Sequence, residues 1–454
     1  MKHRGHTIDM TSGSLTRNIL LFAFPLMASS LIQQLFNTAD TIVVGRFAGP
    51  QALAAVGSCS FLVSLFVNFF IGFSMGTNVV ISRAFGANDH DTVRRGVHTS
   101  LAFSLLCGTA MAALGFVLAP HLLRLTSVPD DIIDMATLYV RIYFLGSPAS
   151  MVYNFGAAIL RSNGDTKRPL YFLTAAGVLN VILNTIFVIC FRMTAAGVAL
   201  ATIISQYLSA VLVLRCLVKE KGTLHLDLRQ LTPDTGIIGQ IIRIGLPSGL
   251  ESSLSSIANT TIQAAVNSFG SSVIAAGSAA SSIINIANIP YVSINQAVLT
   301  FSSRSLGAKQ YRRTDRVILL GLLFGIGFSL LTGNLCLFFG RPLLSLYVGS
   351  NEAIILEGLI RMRIIYPFTF TASIMGTMGS ALRSMGYSSL SMTFSLLGNC
   401  GLRVLWVFLL LPHFGTPASL YIVWPISWAV TAVTLAVIFL FVHKKVYCEF
   451  ALHP

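Results

Sequence analysis

Charge is what this chain has least of. Asp, Glu, Lys and Arg make up 10% of its 454 residues, while 54% are hydrophobic and the mean hydropathy is +0.76. A water-soluble domain carries roughly 25% charged residues, so there is too little polar surface here to wet one. Cysteine is sparse and scattered: the seven thiols stand alone, with no CxxC pair. That argues against a disulfide framework and a zinc site. No GxxxxGK[ST] phosphate loop occurs, so ATP-hydrolysing machinery is not indicated. Period-two alternation over segments of about 10 residues is also missing, which excludes an outer-membrane-type barrel.

What the chain does have is long apolar runs. Read between polar breaks, they give twelve helical spans near 15–44, 52–81, 97–119, 133–158, 169–191, 195–218, 237–268, 274–302, 317–339, 354–379, 390–411 and 417–442. Each is long enough to cross a bilayer. The first run lacks a small-residue cleavage site followed by a soluble domain and reads as a span, not a signal peptide. The expected fold class is an all-α polytopic membrane protein.

The net charge of +14 is explained by topology rather than by a nucleic-acid partner. With both termini and the even-to-odd links on one side, that side holds 22 Lys and Arg residues and the other side 4 (Arg46, Arg124, Arg192 and Arg341). Basic residues accumulate on the cytoplasmic face, so both termini are expected in the cytoplasm.

The halves repeat. "SRAFGA" at 82–87 recurs as "SRSLGA" at 303–308, and "LRSNG" at 160–164 as "LRSMG" at 382–386. Pro25 in the first span matches Pro247 in the seventh, and Pro120–Leu122 matches Pro342–Leu344. All four pairs share a shift of 221 or 222 residues. The chain therefore reads as two six-helix bundles, 1–218 and 237–454, joined by a cytoplasmic linker at 219–236. Because six is even, the repeat is parallel about an axis along the membrane normal. Two bundles enclosing a central cavity are the design of an alternating-access secondary transporter.

Two acids lie clearly inside spans, Asp40 and Glu251. Such a residue costs about 2.5–3.5 kcal/mol at a span centre and usually faces a water-filled cavity with a function there. Other acids, Asp165 among them, fall in links and read as solvated. Asn180 and Asn184, four apart, share a helix face. Glu251 is open to three readings: binding a cationic substrate, binding a second proton, or pairing with a base such as Arg243. Arg403, inside the eleventh span, reads as structural. Pro25 and Pro247 each kink the first helix of a bundle, either as fixed shape or as a hinge. Gly72/Gly76 and Gly321/Gly325 have the spacing of close helix contacts.

Six stretches together resemble the multidrug and toxic compound extrusion (MATE) family, in particular its bacterial DinF-like branch. They are "FNTADTIVVGRFAG" (36–49), "SRAFGA", "AAILRSNGDTKRPLYF" (157–172), "GVALATIISQ" (197–206), "IGLPSGLESSLSSIANTTIQAAVNSFG" (244–270) and "GSALRSMG" (379–386). In order and spacing they cover almost the whole chain. The resemblance implies no enzyme and no cofactor. It implies a multi-pass protein of the cell (inner) membrane, expected to be a monomer, that exports amphipathic, often cationic compounds in exchange for protons or sodium. A sodium-coupled antiporter and a flippase for lipid-linked precursors are the alternatives. The link "SRAFGANDHDTVRRG" lacks the GxxxDRxGRR pattern of the major facilitator class.

Carried over residue by residue, the resemblance makes Asp40 the proton-coupling acid. It places Asn37, Tyr139, Asn154, Asn180, Asn184 and Thr202 around the first bundle's cavity, and Glu251, Asn259 and Gln263 in the second. Two departures stand out. Relatives commonly have Asp where this chain has Asn184, and an amide cannot bind a proton at physiological pH. The NorM-like branch pairs a seventh-span Glu with a tenth-span acid. Here the tenth span has none, and Glu251 lies about one turn early.

Overall fold

The computed structural model describes residues 7–126 and 128–451. Lys2 and Arg4 of the basic count, and the side chain of Cys448, lie outside the described residues. Among the described residues, all regular secondary structure is helical. Its helices are α1 Leu15–Val43, α2 Pro50–Gly86, α3 His90–Leu125, α4 Ile133–Leu145, α5 Ser147–Ser162, α6 Lys167–Thr185, α7 Ala195–Lys219, α8 Thr235–Asn267, α9 Ser271–Gly307 and α10 Tyr311–Phe338. There follow α11 Gly340–Val348, α12 Glu352–Ile365, α13 Thr369–Ser384, the short α14 Ser388–Ser395, α15 Leu402–Leu405 and α16 Leu411–Phe414, and α17 Pro417–Ala451.

Among the described residues, nine helices are long and apolar enough to cross a membrane. The expected fourth, seventh and tenth spans fall below that standard for visible reasons. The fourth breaks at Gly146, just before Pro148, into α4 and α5. The tenth breaks at the 3₁₀ turn Tyr366–Phe368, which contains Pro367, between α12 and α13. The seventh, α8, is unbroken but carries seven Ser and Thr residues between positions 248 and 261.

The repeat is written in the backbone. α2 and α9 are both 37 residues long. Left-handed backbone recurs at Gly49 and Gly270 (φ +89° and +98°), at Asn88 and Lys309 (+56° and +55°), and at Gly164 and Gly386 (+84° and +89°). At Gly164 a second constraint applies, because a Cβ would run into the backbone of Ile8. Positive φ and close approach both select glycine.

The chain packs as two compact units: residues 1–9 with 28–249, and residues 10–27 with 250–454. Two of the three internal boundaries fall inside a helix, two residues beyond Pro25 in α1 and two beyond Pro247 in α8.

In the first unit, one core gathers Cys59, Leu62, Tyr139 and Phe144, and another gathers Val97, Leu101, Ile159, Val213 and Leu217. Gly72 and Gly76 let α2 lie directly on the α8 backbone, where a Cβ would collide with Ser248 and Ile241. The segment after α7 is folded rather than trailing. His98 Nε2 accepts from Asp227 N (3.0 Å), Thr99 Oγ1 from Asp234 N (3.1 Å), and Arg95 pairs with Asp234 (3.0 Å). Asp165 is fully buried and pairs with Arg168, which also binds Glu220. Its expected solvation was wrong, because a buried carboxylate is retained where a cation and backbone N–H groups hold it, and Lys167 N and Arg168 N both donate to it.

In the second unit, Ile283, Leu344, Tyr366 and Trp428 form one core, and Ile262, Tyr421 and Val423 another. Gly321 admits Val298 and Gly325 admits Ser373, so this GxxxG pair is also packing. Large apolar side chains remain exposed on both units, including Leu106, Val117, Val433 and Phe441. Buried serines such as Ser205 and Ser303 bond their own helix four residues back. Apolar side chains outward and hydroxyls bonded back to their own helix inward suit a lipid solvent.

Candidate functional site

α1 and α6 build the site of the first unit. α1 presents Asn37 and Asp40, three residues apart, and α6 presents Asn180 and Asn184, four apart, so each pair stands about one turn apart on its helix. Each helix then passes into a π turn, Val44–Ala48 after Asp40 and Ile186–Cys190 after Asn184. π turns widen a helix locally and often occur at functional sites.

Asp40 is half-buried. Asn184, fully buried, donates through Nδ2 to Asp40 Oδ1. The Asn180 amide is best satisfied with its nitrogen toward the carboxylate, donating to Oδ1 at 2.8 Å and Oδ2 at 3.1 Å. In that orientation the Asn180 amide oxygen faces Thr202 Oγ1 at 3.4 Å. The carboxylate is thus held by amides, and no base is paired with it. The buried Asn184 Oδ1 has no hydrogen-bond partner.

These residues edge a cavity of about 440 Å³ within the first unit. That volume is in the range that takes a drug-sized ligand. Of the expected residues, Asn37, Asp40, Asn154, Asn180 and Thr202 line it. Asn184 sits behind Asp40. Tyr139 lies in the apolar core, stacked on Tyr143 at 6.3 Å between centroids. Tyr143, Tyr153, Gln206 and Phe36 complete much of the wall and were not singled out from sequence. No Lys, Arg, His or Glu lines this cavity, so Asp40 supplies its charge.

Phe36 reaches the wall because residue 177 is glycine. A Cβ on Gly177 would overlap the Phe36 ring. Overpacking of this kind costs about 1–3 kcal/mol. Gly177→Ala is expected to lower the melting temperature in detergent, and adding Phe36→Ala should recover most of the loss. A Gly177→Ala protein as stable as the parent would contradict the contact.

In the second unit the expected set divides. Asn259 and Gln263 line a cavity of about 410 Å³, but Glu251 does not. Glu251 is paired instead with Arg383 at 3.1 Å, the base being Arg383 rather than Arg243. Arg383 sits near the end of α13, too far along the chain for local spacing to reveal the pair. Among the described residues, no group of three or more His, Cys, Asp or Glu side chains could hold a metal ion.

Residues 25–186 and 247–409 each match the model of the MatE family. The chain belongs to that family. The double match falls on the two halves of the internal repeat. The chain is 28% identical over 442 residues to the probable multidrug resistance protein YoeA of Bacillus subtilis, spanning 95% of both. It is 24% identical over 371 residues to the FAD transporter of Shewanella oneidensis, covering 80% of each. A solved structure described as the outward-facing conformation of a multidrug resistance MATE family transporter superposes with a TM-score of 0.89 over 99% of both chains, at 22% identity. That likeness establishes the fold.

Proposed function

We propose that this MatE-family chain is a secondary active exporter of amphipathic, chiefly cationic organic compounds, exchanging them for protons at Asp40. The observation that carries the reading is a single carboxylate with amide partners on the wall of an otherwise uncharged cavity. An ionised Asp40 attracts a cation and a protonated one does not, so the two ligands exclude each other, as antiport requires. The Asn184 amide serves both charge states. Its Nδ2 donates to the carboxylate, and its unpartnered Oδ1 is a ready acceptor for a carboxylic acid.

On this reading the chain works as a monomer in the cell membrane with both termini cytoplasmic, its halves being the two bundles of the repeat. Pro25 and Pro247 act as hinges. Each stands two residues before the point where its helix passes from one compact unit to the other, and a missing backbone bond makes bending easiest there.

Everted vesicles offered a fluorescent cationic dye, with proton and sodium gradients varied independently, test the coupling. Uptake is expected with a proton gradient at fixed sodium. Uptake that follows sodium at constant pH and ignores the proton gradient would replace protons with sodium in this scheme.

A further inference from the structure

The cavity of the second unit has the opposite chemistry to the first. No carboxylate lines it, and two arginines do. Arg361 of α12 and Arg403 of α15 are 4% and 2% exposed, and both lie within helical stretches read as membrane spans. No described carboxylate lies within ion-pair distance of either. Glu357, one turn before Arg361, accepts instead from Tyr421 Oη at 3.2 Å and does not line the cavity.

Their hydrogen bonds are few for two guanidinium groups, each of which carries five N–H donors. Arg403 Nε donates to Ser427 Oγ (3.0 Å) and Nη1 to Asn259 Oδ1 (2.7 Å). Arg361 Nη1 donates to Gly277 O (3.0 Å), while its buried Nε has no partner. Both cations share one aromatic ring: Cζ of Arg361 is 5.1 Å and Cζ of Arg403 is 5.7 Å from the Trp424 centroid. Two buried like charges thus face one cavity over a shared ring, with no described carboxylate paired to either. That is costly unless something of opposite sign completes the site.

We propose that this cavity binds an aromatic anion, a flat ring carrying a carboxylate or phosphate. The anionic group would sit between Arg361 and Arg403, whose planar forks match such oxygens in bidentate fashion. The ring would lie along Trp424 and Trp428, one turn apart on the same face of α17 and both in the cavity wall. Asn285 and Asn288 of α9 supply further donors and acceptors around the ring edge. The site rests on these residues alone and stands whether or not Asp40 couples to protons.

The full-length protein in lipid nanodiscs provides the test. Two of the chain's three tryptophans line the cavity, so intrinsic fluorescence reports its occupancy. 4-Nitrophenyl phosphate and 4-nitrobenzoate are expected to quench saturably. The neutral isostere 4-nitrobenzamide should bind at least tenfold more weakly, and inorganic phosphate should compete only at far higher concentration. Arg361→Gln combined with Arg403→Gln is expected to weaken the anions at least tenfold, and the corresponding double Lys variant should retain part of the binding. Equal quenching by the amide, competition by inorganic phosphate at the same concentration as its nitrophenyl ester, or unchanged affinity in the double Gln variant would each overturn the proposal. If the double Gln variant does not fold, the ligand series on the parent protein still decides. Cation transport by Asp40 is read in a separate assay, so the two proposals fail independently.

Discussion

Everted vesicles carrying Asp40→Asn are expected to accumulate no cationic dye above the background of empty vesicles when a proton gradient is imposed. The substitution keeps size and shape and removes the one carboxylate that lines the cavity. Two effects then act together. The gradient loses its point of entry, because an amide has no proton to exchange. The cation also loses a charged partner, worth about 1.5–3 kcal/mol, or roughly 10- to 150-fold in affinity. Direct dye binding separates them: affinity should fall by that factor, while gradient-driven uptake disappears. Full uptake by Asp40→Asn would remove Asp40 from the coupling step. Leaving Asn184 and Asn180 in place guards against a trivial loss of folding, since both can still bond an amide at position 40.

Much of this was legible before any coordinates. Scarce charge and recurring apolar runs dictated a helical membrane protein. The repeat markers revealed the duplication, and two of them end at or just before paired left-handed residues, Gly164 with Gly386 and Asn88 with Lys309. Asp40 stood out because an acid within an apolar run needs a reason. Asn180 was found through its spacing from Asn184. What escaped was long-range or unsigned. The Glu251–Arg383 pair joins α8 to α13 across 132 residues, and no periodicity encodes it. Phe36 and Gly177 look like ordinary apolar filler until the ring is seen to need a missing Cβ. Asp165 read as a solvated link acid, because the sequence does not tell that Arg168 and Glu220 fold over it. Arg403 did carry a signal, since an arginine within a span is unusual. It reads as structural when taken singly, and only the fold shows it sharing Trp424 with Arg361.

Asn184→Asp should change the electrical character of transport. On the proposed scheme, one carboxylate in the parent protein exchanges one proton for one monovalent cation, and no net charge crosses the membrane. An imposed potential, clamped with potassium and valinomycin at zero pH difference, should therefore leave dye accumulation unchanged. Aspartate at position 184 places a second carboxylate in hydrogen-bond contact with the first, in the position Asn184 Nδ2 now occupies. Two such groups resist ionising together, so the second proton leaves only when the cationic substrate supplies the compensating charge. That is the step in which antiport releases protons. Exchange of two protons for one monovalent cation moves one net charge per cycle. At 100 mV this is worth about 2.3 kcal/mol, or roughly 40-fold in accumulation. The single-carboxylate reading would fall if the parent already followed the potential by this factor; the role given to position 184 would fall if Asn184→Asp transported dye yet stayed indifferent to it. Asn184 would then be a structural amide, and Asp40 would set the stoichiometry whatever stands beside it.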